Sequence, residues 1–116
     1  MLNILLIDDD TDVLKVIKVI LRASNHNVVT ATDGEKGTKL FNSTDFDLVI
    51  SDINMPVMDG IDVLEYVKKT DPNIPVIGIT GTNWEDSHDQ FDDLISKPFT
   101  IKQLDTTIER VFKKTE

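Results

Sequence analysis

Six polar residues fall where short apolar runs stop. Asp8, Asp9 and Asp10 follow NILLI, Asp52 follows the run Phe46–Ile50, Thr80 closes VIGIT, and Lys97 follows LIS just before Pro98. Carboxylates brought together repel one another and raise one another's pKa unless a cation intervenes. A hard divalent ion with oxygen ligands answers that need, and Mg2+ typically takes one or two carboxylates and keeps its waters. Magnesium in turn suggests a phosphoryl group as partner. A hydroxyl at Thr80 can donate to one phosphoryl oxygen, and an ammonium at Lys97 can neutralise another. Asp52 would then be the nucleophile, forming an aspartyl phosphate.

That chemistry requires the six positions to share one crevice, and the pattern between them provides it. Leu2–Ile7, Val28–Ala31, Phe46–Ile50, Val76–Thr80 and Leu94–Ser96 read as strands rich in Val, Ile and Leu. The first, third and fourth are almost wholly apolar, as strands covered on both faces are. Helical patterns lie between them. Asp10 or Thr11 caps one that runs to about Ala23, with Asn25 suited to a left-handed stop. Gly34–Asn42 is a weaker one, Asp59 or Gly60 opens another that ends at Asp71-Pro72, and Thr100 caps the last. Alternating strands and helices with short connections predict a parallel sheet wrapped on both faces. In such sheets ligands bind beyond the carboxyl ends of the strands, where all six residues lie.

Composition narrows the classes. With 116 residues the chain predicts one domain, and 40% hydrophobic with 28% charged residues is the balance of a globular protein. The absence of cysteine excludes disulfides, thiolate nucleophiles and zinc-thiolate sites. No apolar run approaches the roughly 20 residues that span a bilayer, and Leu2–Ile7 has no basic flank, so no membrane association is expected. The cytosol is the default compartment. A net charge of −9 opposes direct binding to nucleic acid.

The segments ILLIDDD, SDINMPVMDG, VIGITGT and SKPF, in this order over about residues 2–114, resemble the signature segments of bacterial response-regulator receiver domains. The resemblance implies a flavodoxin-like (βα)5 doubly wound parallel sheet of order 2-1-3-4-5, like that of a chemotaxis receiver. It implies that Asp52 is the phosphoacceptor. Asp8, Asp9 and Asp52 with the backbone carbonyl of Asn54 would hold Mg2+, Asp9 as the direct ligand. Thr80 and Lys97 become the phosphoryl-binding switch pair, Pro56 and Gly60 shape the loop after the site, and the side chains of Asn54 and Thr82 tune dephosphorylation. The phosphodonor would be a histidine kinase or a histidine-phosphotransfer protein, and the output an unidentified downstream protein, since no DNA-binding or catalytic domain is expected after the last helix. Taken singly, Asp8–Asp10 read equally well as a helix cap, Thr80 as a structural strand end and Lys97 as a solvated loop residue. The set as a whole does not.

Two departures from the family pattern stand out. The position three residues before the lysine, usually Tyr or Phe, holds Leu94, and Lys97 follows Thr80 by only 17 residues (97 minus 80). The shortfall exceeds one helical turn and predicts a shortened or irregular fourth helix, or an ordered loop, over Thr82–Asp92. There Trp84 reads as a packing residue and His88 as no metal ligand. The unusual segment predicts that phosphorylation acts by shifting Thr82–Leu94. The competing classes are a phosphorylation-independent scaffold with this fold and an aspartate-nucleophile phosphohydrolase. The latter typically needs a second acid where Asn54 stands, and a substrate cap; no enzymatic activity is expected beyond self-phosphorylation and dephosphorylation.

Overall fold

A computed structural model describes residues 1–81 and 90–113. Among the described residues, five strands and four helices follow one another: β1 Asn3–Ile7, α1 Thr11–Ala23, β2 Asn27–Ala31, α2 Gly34–Ser43, β3 Leu48–Asp52, α3 Gly60–Thr70, β4 Val76–Thr80, β5 Asp93–Ser96 and α4 Ile101–Lys113. The strands form one parallel sheet of order β2-β1-β3-β4-β5. The parallel sheet is the one that the alternation predicts, and its order is the flavodoxin-like one that the resemblance implies.

Side chains alternate across the sheet, so each strand feeds two cores. Ile4, Leu6, Leu48, Ile50, Ile77, Ile79 and Ile95 meet Leu14, Ile17 and Leu21 of α1 and Leu104, Ile108 and Val111 of α4. Leu5, Ile7, Val49 and Val76 meet Phe41 of α2 and Val63, Leu64 and Val67 of α3. β3 and β4 are buried at every position, which explains why both are apolar until their carboxyl ends. Each fully buried Leu or Ile contributes about 1.5–3 kcal/mol, so the central strands, rich in such residues, anchor both cores.

Local signals set the helix ends. Of the alternatives open in the sequence, Asp10 caps α1, accepting from the N–H groups of Asp12 and Val13, and Asp59 caps α3 in a reciprocal pair with Asp62. Thr100 and Gln103 form a similar pair at the start of α4. Asn25 takes the left-handed conformation expected of it, with φ 72°. No helix among the described residues is long and apolar enough to cross a membrane.

The third strand is displaced from its expected span. Phe46 is buried but precedes the ladder, and β3 runs from Leu48 through Asp52. Asp52 therefore sits on the strand itself, opposite Ile79, and not in a turn beyond it. β5 begins at Asp93, one residue before the expected Leu94. Trp84, His88 and most of the expected fourth-helix region lie outside the described residues, while Phe91, placed in that uncertain stretch, is a buried core residue.

Candidate functional site

The site is assembled from the carboxyl ends of β1, β3 and β5. The N–H of Asp8 donates to the carbonyl of Ala31 (3.1 Å), carrying the β1–β2 ladder one residue past β1 and placing Asp8 in the interior, fully buried. Asp9 follows, exposed, and Asp10 turns away to cap α1, while its own N–H donates to Asp8 Oδ1 (2.9 Å). Asp52, 6% exposed, ends β3; its Oδ1 accepts from the N–H of Asn54 (3.0 Å). The N–H of Lys97 donates to the carbonyl of Thr80 (2.7 Å), which fixes Lys97 just beyond β5, before a cis peptide to Pro98.

These backbone pins bring four charged groups together. One carboxylate oxygen each from Asp8, Asp9 and Asp52 lies within 4.8 Å of the others. Lys97 Nζ stands 3.2 Å from Asp8 Oδ2 and 3.4 Å from Asp52 Oδ2. One ammonium does not balance three carboxylates. Burial pushes the Asp8 carboxyl above its ordinary value; the N–H of Asp10 pulls it back, the charge of Asp52 raises it further, and Lys97 lowers it. Burial works against the Lys97 ammonium, but Asp8 and Asp52 outweigh it and hold its pKa above the ordinary lysine value. The deficit of positive charge, an all-oxygen donor set and one exposed carboxylate fit a hard divalent cation such as Mg2+ that keeps part of its water shell.

The structure brings Asp8, Asp9, Asp52 and Lys97 into one cluster, and sets Asn54, exposed, immediately beyond β3. Thr80, buried, ends β4 next to Asp52, whose register partner is Ile79. Thr82 lies outside the described residues. Leu94 is half-buried and shares the space above Gly78 with Phe91 and Ile53, facing the α2/α3 core. Sequence reasoning missed the hydrogen bond from the Asn54 N–H that orients Asp52. Gly60, expected to shape the loop after the site, does so by close approach: a Cβ there would lie 2.4 Å from the carbonyl oxygen of Asp52.

The family model for the response regulator receiver domain matches residues 4–109. The chain belongs to the response regulator receiver domain family. It is 34% identical over 120 residues to a probable transcriptional regulator, ycf27, of Guillardia theta, covering 97% of this chain and 46% of that protein. The receiver thus spans about half the length of such curated relatives. Among solved structures, the chemotaxis protein CheY4 of Vibrio cholerae superposes with a TM-score of 0.89 at 26% identity, covering 96% of this chain and 98% of that one. The response regulator TrrA of Thermotoga maritima, solved with Mg2+ and BeF, superposes with a TM-score of 0.88 at 28% identity, covering 96% and 99%. Receiver domains are signalling modules of two-component systems, and the relatives matched here are regulators, not metabolic enzymes.

Proposed function

We propose that this receiver domain is switched by phosphorylation of Asp52 and signals through a protein partner. The observation that carries the reading is the cluster itself: three carboxylate oxygens within 4.8 Å and one ammonium, at the carboxyl ends of parallel strands. Asp8, Asp9, Asp52 and the backbone carbonyl of Asn54 would hold Mg2+, with exposed Asp9 as the direct ligand. When bound, the ion supplies positive charge to the oxygens around the transferring phosphorus. An oxygen of Asp52 attacks the phosphorus of a phosphohistidine; the P–N bond breaks and its electrons go to the departing imidazole. Lys97 moves its pairing from the carboxylates to the arriving phosphoryl oxygens, and the Thr80 hydroxyl donates to another. Water later attacks the phosphorus and frees Asp52, at a rate tuned by the side chains of Asn54 and Thr82.

The donor is a histidine kinase or a histidine-phosphotransfer protein. The surface beside Lys97 suits a protein donor: a cleft of about 330 Å³ lies between Val13, Val16 and Ile20 of α1 and Pro98–Phe99, and Val16 is 59% exposed. The downstream partner reads a surface that includes Leu94 in place of the family's aromatic, through a shift of the Thr82–Leu94 segment. A cytoplasmic setting accords with this chemistry. Leu94 also favours a second reading, a receiver-fold scaffold that works without phosphorylation. Thermal unfolding with Mg2+ and beryllofluoride separates the two. The proposal expects Mg2+ and beryllofluoride together to raise the melting temperature beyond the rise with Mg2+ alone, and expects that further rise to disappear in Asp52→Ala; no further rise in the parent protein would leave the scaffold reading.

A further inference from the structure

The loop from Ile53 to Asp59 leaves and rejoins one point on the sheet. The N–H of Ile53 donates to the carbonyl of Ile79 (2.9 Å), and the N–H of Gly60 donates back to the carbonyl of Ile53 (2.9 Å). Between these pins Met55 is buried in the α2/α3 core and Met58 packs against it. With both methionines turned inward, Pro56 and Val57 carry the chain across the outside. Proline has a fixed φ, so the reversal falls on Val57. Its φ is 67°, a left-handed value unusual for a β-branched residue, and the Met58 N–H closes the turn onto the Pro56 carbonyl (2.7 Å). The Val57 side chain is fully exposed, so its own packing does not explain the conformation. The methionine anchors do.

Met58 is seated on the first turn of α2. A Cβ at Gly34 would lie 2.7 Å from the Met58 carbonyl oxygen and 2.8 Å from its Cγ. The oxygen belongs to the backbone and cannot rotate away. Gly37, one turn further on, looks similar in sequence but meets the end of the Ile7 side chain, 2.3 Å from Cδ1. At its other end the same loop delivers the Asn54 N–H to Asp52 Oδ1 (3.0 Å).

We infer that Gly34 is a positioning residue for the carboxylate cluster: by admitting Met58 against α2 it holds the loop where the Asn54 N–H fixes the rotation of Asp52. The inference rests on the cluster's being the cation site proposed above.

The test compares the parent protein with Gly34→Ala, Met58→Ala and Gly37→Ala, by Mg2+ calorimetry and by amide exchange at Asn54 without metal. Gly34→Ala and Met58→Ala are expected to weaken Mg2+ binding by roughly tenfold, the low end for losing a contact behind a ligand, and to speed Asn54 exchange. Gly37→Ala, although destabilised, should keep both properties within about twofold of the parent. Equal effects of Gly34→Ala and Gly37→Ala, or none from Gly34→Ala, would overturn the inference. If the parent protein itself bound no Mg2+, the cation-site reading would fail, and Asn54 exchange would still decide whether Gly34 holds the loop.

Discussion

Replacing Lys97 by methionine tests the electrostatic balance of the site. The Lys97 side chain is 28% exposed, and its ammonium bridges Asp8, which is fully buried, and Asp52. Breaking a buried ion pair from one side costs about 3–5 kcal/mol. Partial exposure of Lys97 and the readiness of Asp8 to take up a proton reduce that to about 2 kcal/mol in metal-free protein. Unfolding entropy near 2.1 cal/mol/K per residue gives roughly 0.24 kcal/mol/K over 116 residues, so the melting temperature should fall by about 8 °C. With saturating Mg2+ most of the loss should return, because the ion replaces the missing charge and no longer competes with the ammonium. The assay is thermal unfolding in chelator and in Mg2+, for parent and variant. An equal Mg2+ increment in both would refute the reasoning, since it would mean that Lys97 and the cation do not share the carboxylates.

Three further outcomes follow from the same geometry. Gly60→Ala would place a Cβ 2.4 Å from the Asp52 carbonyl oxygen and 2.6 Å from Ile53 Cα, so a loss of about 1–3 kcal/mol is expected in urea titration; an unchanged midpoint would contradict the packing. Asp92→Ala removes the carboxylate that accepts from the N–H of buried Val76 (2.7 Å) and pairs with Lys68 (2.7 Å), which should cost about 1–3 kcal/mol; a loss below a few tenths would show the N–H satisfied otherwise. Without metal, the folded Asp8 carboxyl titrates above its ordinary value of 3.8, chiefly through burial. Its protonated form therefore contributes stability that is complete below that pH and is lost as pH rises through the folded value. Urea titrations in chelator should show this decline in the parent protein and its loss in Asp8→Asn; identical slopes would contradict the burial of the charge.

The sheet was legible because its information is local and repeated. Apolar runs of strand length, broken by capping residues such as Asp10, Asp59 and Thr100, leave few arrangements other than alternating strands and helices. The site was legible for a related reason, since strand ends carry its charged groups to one edge. Contacts made over distance were not legible. Nothing near Phe46 says that the ladder begins at Leu48, because that start depends on which residues of β1 and β4 stand opposite. The roles of Gly34 and Gly37 depend on neighbours distant in sequence, Met58 and Ile7. Nor does anything local to Asp92 show that it bonds to the start of β4 and to α3.

Phosphorylation of Asp52 is best tested by intact mass after incubation with acetyl phosphate, with and without Mg2+, for the parent protein and Asp52→Ala. The account predicts a gain of one phosphoryl group that requires both Mg2+ and Asp52. An adduct that persisted in Asp52→Ala, or formed equally well in chelator, would contradict it.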